Sequence, residues 1–179
     1  MKPKFQPAAG AKLVEGNAGF AWRPHDNTRW AAFGRYTYLY DVASLGQEGG
    51  ATYDQRSQVV SFEGIAQLDD RWELAGKLAS RWGDYRTGRG AGQWLDSRAD
   101  FAAIQARYHL IAQWEGLAEY RWLKVRDGGV RKGGLIGLDR QLGDNFRIGV
   151  GYNFTDFSDD LTDLEYDNKG WFLNLAGYY

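Results

Sequence analysis

The stretch NFRIGVGYNFTDFSDDLTDLEYDNKGWFLNLAGYY, residues 145–179, decides the fold. Its first arm alternates without a break. Phe146, Ile148, Val150, Tyr152 and Phe154 fall on one side, and Arg147, Gly149, Gly151, Asn153 and Thr155 on the other. Period-two alternation of this length is the pattern of a β-strand whose two faces meet unlike surroundings. The second arm repeats it, with Trp171, Leu173, Leu175 and Tyr179 against Gly170, Phe172, Asn174, Ala176 and Tyr178. Between the arms, DDLTDLEYDN (159–168) is acidic and reads as a solvated loop too polar to be buried.

Working outward, the same period recurs over the rest of the chain. Strands are expected near 12–23, 29–41, 57–68, 71–83, 98–110, 114–125 and 132–142. In 71–83 the alternation is cleanest, with Trp72, Leu74, Gly76, Leu78 and Trp82 opposite Arg71, Glu73, Lys77 and Arg81. In 132–142 it is least regular. Short turns (HDN, DD, the neighbourhood of IAQ, GDN) alternate with mostly longer Gly- or Asp-rich loops such as LGQEGGATYDQR and TGRGAGQWLD. This is an antiparallel meander with no helical crossovers. It predicts an all-β, up-and-down antiparallel barrel of about 8–10 strands in a single domain over 1–179, with 1–11 a poorly defined segment or a short first strand. The count comes to about nine, whereas bacterial single-chain barrels have even numbers. A short strand near Lys2–Ala8, a miscounted strand, or a piece of a larger barrel would each restore parity.

Composition narrows the function classes. Net charge is −1, which suggests neither nucleic acid nor an acidic substrate as partner. Aromatics make up 16% of the chain, with eight Trp and eleven Tyr, and Gly is abundant beside three Pro, as strands joined by turns require. Cysteine is absent, so disulfides, thiolate metal sites and cysteine nucleophiles are excluded together. No apolar run reaches the roughly 18 residues of a membrane helix, yet a membrane strand needs only every second residue apolar over about 9–11. The start, MKPKFQPAAGAK, has basic residues with no apolar run behind them and is not a signal peptide. If the protein is exported, Met1 is expected to open a mature or trimmed chain.

The closing amphipathic strand, ending on the aromatic Tyr179, resembles the assembly signal of bacterial outer-membrane β-barrels, in which Phe is the usual last residue. The run GVGYNFTDFSDDL…GWFLNL also resembles the C-terminal barrel of large bacterial outer-membrane proteins of mostly undefined role, with weaker echoes in YRWL and GRYTYLYD. The resemblance covers 145–179 most closely. It implies integral residence in the bacterial outer membrane, with the lipid bilayer, lipopolysaccharide and the barrel-assembly machinery as partners. It implies no activity, and oligomeric state stays open.

Alternation alone leaves open which face points inward. In a soluble lipocalin-like barrel binding an apolar ligand, the apolar face lines the interior; in a membrane barrel it meets lipid. Aromatic residues towards strand ends on the apolar face favour the second arrangement. They are Trp30, Tyr40, Trp72, Trp82, Trp114, Trp122, Tyr152 and Trp171, a girdle pattern flanking a lipid band. Small residues on that face leave too little volume for a packed soluble core. The polar face then lines the lumen with Arg35, Glu63, Glu73, Lys77, Arg81, Arg107, Glu115, Glu119, Arg121 and Arg147. Mixed signs in a narrow barrel suggest charges paired across the interior, which either fill it or border a narrow pore.

Chemistry-bearing candidates are few. His25 sits in a turn and His109 on the polar face, without the partners a hydrolase needs, so no enzyme is expected. Glu73, Glu115 and Glu119 could form an acid–base pair, but interleaved Arg residues favour salt bridges. The acidic loop, with Asp159, Asp160, Asp163, Glu165 and Asp167, lacks EF-hand spacing, and no metal or cofactor is expected. Arg86, Arg89, Arg126, Arg131 and Lys132 lie at the other outer loops, where they could contact lipid phosphates; scattered surface charge explains them equally well.

Overall fold

A computed structural model describes residues 12–42, 53–87, 92–111, 113–126, 128–143, 145–157, 161 and 169–177. Among these residues nine strands form one sheet in sequence order: β1 (Lys12–Trp22), β2 (Trp30–Val42), β3 (Tyr53–Gln67), β4 (Trp72–Thr87), β5 (Leu95–His109), β6 (Trp114–Val125), β7 (Gly129–Leu142), β8 (Phe146–Asn153) and β9 (Gly170–Gly177). Every neighbouring pair is antiparallel. The all-β, up-and-down meander expected from the alternation is therefore present. In a meander of nine strands β1 and β9 run in the same direction, and no ladder joins them among the described residues. No helix long and apolar enough to cross a membrane occurs among these residues.

Turn chemistry fixes the register at one end. After β3, Asp69 Oδ1 accepts from the backbone N–H groups of Arg71 and Trp72, each at 2.7 Å. Those two bonds, Arg71 first, hold the Asp69 carboxyl below its ordinary value of 3.8. Leu68 N–H donates to Trp72 O, and Leu110 N–H to Trp114 O, each at 2.9 Å, so the β3–β4 and β5–β6 turns close alike. Between β7 and β8, Gly143 takes φ +64°, a left-handed conformation that glycine adopts without strain.

β3, β4 and β5 run further than the sequence pattern predicts. YDQR and QWLD, expected in loops, belong wholly or partly to strands, and β4 continues to Thr87. Apolar alternation stops near Val60 and Trp82, and ionic cross-strand pairs take over. Asp54 stands opposite Arg86 and Arg56 opposite Asp84, with Nε–Oδ2 distances of 2.6 and 2.8 Å. Trp94 lies against both guanidinium groups, each carbon 4.8 Å from its ring centroid. Paired charges stacked on an aromatic carry this extension of the ladder.

Except for Asp54, the buried side chains of the strands lie on one face. Thr37, Leu39, Ser57, Val59, Ala79, Arg81, Ala99, Phe101 and Leu123 are all buried and share that face by register. A single sheet with no second layer among the described residues buries a face only by curling around it. The segment after β8 completes the cover: Phe157 and Leu161 join Val59, Ala79, Ala99, Phe101 and Leu123 in one apolar cluster. Leu161 belongs to the stretch expected to be solvated, and it is buried. The other residues of the 159–168 loop lie outside the described residues.

Candidate functional site

Two unlike faces of this sheet are the features on which function must rest. On the inner face stand all ten predicted polar residues: Arg35, Glu63, Glu73, Lys77, Arg81, Arg107, Glu115, Glu119, Arg121 and Arg147. Their pairing differs from the expectation of charges meeting across the interior. Glu73 stands directly opposite Arg107 on the neighbouring strand, 2.9 Å away. Glu119 pairs with Arg121 two residues along its own strand and also accepts from Gln105 Nε2 at 2.7 Å. Arg147 of β8 reaches Glu115 of β6, and His109 Nδ1 lies 3.4 Å from the same carboxylate. The ionic network therefore runs along the wall. With each of these three carboxylates against a cation, no acid–base pair is assembled.

Space remains between these side chains near the short turns, where a cavity of about 290 Å³ is lined by Gln67, Glu73, Arg107, His109, Glu115 and Arg147 among others. A smaller one of about 120 Å³ lies among Glu63, Lys77, Gln105 and Glu119. Towards the long loops the inner face changes character. Arg81 is fully buried and donates to Gln55 Oε1 at 2.9 Å. Around it lies the apolar cluster holding Phe157, whose ring meets Phe101 edge-on at 6.5 Å. Thr155 covers Gly133 so closely that an added Cβ there would overlap Thr155 Cγ2. Phe101, Gly133 and Phe157 were not singled out in the sequence, although for Phe157 the signal was present. Phe157 follows Asn153 and Thr155 in the polar register, and an aromatic there faces inward.

The outer face is apolar and uncovered. Every large hydrophobic side chain that is exposed among the described residues belongs to this face or its continuation, except Phe33, Leu95 and Ile111. Leu78 is 63% exposed, Leu173 73% and Trp171 79%. The eight predicted girdle residues, Trp30, Tyr40, Trp72, Trp82, Trp114, Trp122, Tyr152 and Trp171, all stand on it. Tyr179 lies outside the described residues.

The register places these aromatics on oblique lines. The row of Trp30 meets β4 at Leu74, and Trp72 lies two residues nearer the short turn. Trp72's row meets β6 at Gly116, and Trp114 is again two residues nearer; Trp114's row meets β8 at Ile148, and Phe146 repeats the step. Near the long loops the line inclines in the same direction but more steeply: Trp82 steps two residues from the row of Tyr40, whereas Trp122 and Tyr152 each step four. One residue per strand, about 3.4 Å along against about 4.8 Å across, inclines the short-turn line by roughly 35°; two residues per strand incline the later long-loop steps by roughly 55°.

Among the described residues no group of His, Cys, Asp or Glu could hold a metal ion. His25 is exposed in the turn before β2. Compared with known proteins, the chain matches no family model, no curated protein and no solved structure. The fold and faces define an up-and-down antiparallel β-sheet protein with one exposed apolar face and one charged, partly buried face.

Proposed function

We propose that the chain is an integral β-barrel protein of the bacterial outer membrane, serving as an anchor or scaffold whose interior is filled. The observation that carries this is the uncovered apolar face. Soluble monomers rarely expose contiguous apolar patches beyond a few hundred Å². Here such residues extend over all nine strands, from Val14 on β1 to Leu175 on β9. In a lipocalin-like barrel the same residues would line the interior and the charges would face water.

The oblique aromatic line near the short turns supports the same conclusion. Membrane strands tilt by about 35–45°, so rows at constant depth must cross the ladder at that angle. Trp72 and Trp82 are ten residues apart on β4. That separation is about 34 Å along the strand and roughly 28 Å in depth, near the ~25 Å apolar band of such barrels. The inner charges and the Phe157 cluster occupy space an ion would need, which favours a filled scaffold over an open pore. Folding tests this assignment. The chain should become monomeric and β-rich only with detergent or lipid; a water-soluble β-rich monomer would reject it.

A further inference from the structure

We infer that the outer face carries a binding site for a lipid headgroup bearing two phosphates, formed by Arg98, Lys124 and Lys132 with Arg126 at its edge. This deepens the membrane assignment and rests on it. All four side chains are exposed. They lie on the outward side of three consecutive strands or, for Arg126, just beyond β6. Arg98 is in register with Trp82, and Lys132 with Trp122. Lys124 is two residues past Trp122 towards the loops, and the Arg126 N–H donates to Arg98 O at 2.8 Å. The group therefore sits on the loop side of the oblique aromatic line, where the headgroup layer would be.

Carboxylates nearby are largely engaged. Asp96 accepts from Arg126 at 2.9 Å, and Asp100 accepts from Ser80 Oγ at 2.6 Å while standing opposite Lys124. Arg98, Lys124 and Lys132 have no ion pair among the described residues. The Arg56–Asp84 and Arg86–Asp54 pairs beside them are closed to a ligand by mutual pairing and by Trp94. An unpaired cation on a lipid-side face is costly at mid-depth and favourable against phosphate at the boundary. By register Arg98 and Lys132 stand two strands and four residues apart, roughly 17 Å between backbones, with Lys124 midway, a span that two phosphate groups and these long side chains can bridge. At the short-turn end the outer face offers Arg140 instead, stacked 5.2 Å over Trp114.

The test uses the full chain folded in zwitterionic micelles and titrated with diphosphorylated lipid A, with bound lipid counted by native mass spectrometry. Inorganic pyrophosphate and phosphatidylcholine are titrated in parallel. One saturable lipid A site is expected, with pyrophosphate and phosphatidylcholine far weaker. The variant Arg98→Gln/Lys124→Gln/Lys132→Gln should bind lipid A about a hundredfold more weakly, near fivefold per cation. Arg140→Gln should bind as the parent does, and Lys124→Arg/Lys132→Arg should keep most of the affinity. Equal lipid A affinity in the triple variant would overturn the site, as would pyrophosphate binding equal to lipid A. Insertion of parent and variant into phosphatidylcholine vesicles separates the two levels. If neither inserts, the membrane assignment falls and the site with it; if both insert without a lipid A preference, the site alone falls.

Discussion

Phe157 lies edge-on to Phe101, ring centroids 6.5 Å apart at 75°, with both rings buried. One belongs to β5 and the other to the segment after β8, so this contact ties the last connection to β5 on the inner face. Replacing Phe157 with Ala is expected to cost about 3 kcal/mol, at the low end for a buried Phe because the segment can relax. In planar bilayers the parent should show no steady conductance and Phe157→Ala should show leak events. A silent Phe157→Ala variant would place the block elsewhere.

Gly133 supports the same segment by what it lacks. Its missing Cβ makes room for Thr155, which is itself buried and bonded to Asn153. Gly133→Val should displace Thr155 and Phe157 together, costing about 1–3 kcal/mol by overpacking. The check is protease cleavage within 154–161, faster in Gly133→Val than in Gly134→Ala.

The Glu73–Arg107 pair should matter less. Each side chain is about one-third exposed, at 35% and 32%, and the two are direct neighbours on the wall. A double-mutant cycle with Glu73→Ala and Arg107→Ala is expected to give a coupling of roughly 0.2–1 kcal/mol. Glu73→Ala should therefore raise leak less than Phe157→Ala does. The opposite order would restore charges as the principal block.

Asp69 gives a pH dependence of defined sign. Its carboxyl is held below 3.8 in the folded state by the backbone N–H groups of Arg71 and Trp72. A lowered folded value means that its stabilisation is fully present above the unfolded value and is lost as pH falls through the folded one. Asp69→Ala should thus be less stable than the parent at neutral pH, with the gap closing below about pH 4. Urea unfolding in micelles across that range measures it; a gap independent of pH would remove the carboxylate from the turn's energetics.

Much of the fold was legible because over the middle of the strands one face is charged and the other apolar. Trp72, Leu74, Leu78 and Trp82 alternate with Glu73, Lys77 and Arg81, and a one-residue slip would exchange every side chain between faces. The extra turns of β3 to β5 were hidden because Asp54, Arg56, Asp84 and Arg86 carry no apolar period; their pairing is visible only across strands. Polar inward residues were legible one by one, but their partners were not, since Arg147 meets Glu115 by skipping over β7. The burial of Phe157 and Leu161 was masked by the acidic residues around them.

Because the chain has no cysteine, single cysteines along β4 can carry a nitroxide label without interference. Labels at positions 74 to 82, in protein folded into lipid vesicles, should show oxygen accessibility alternating with period two. Leu78, 63% exposed on the outer face, should be accessible to oxygen and shielded from a water-soluble nickel chelate. Ala79, 8% exposed on the inner face, should be shielded from lipid-dissolved oxygen. That alternation would place the apolar face in lipid. Nickel accessibility at Leu78 equal to that at an exposed turn, or no alternation between Leu78 and Ala79, would contradict it.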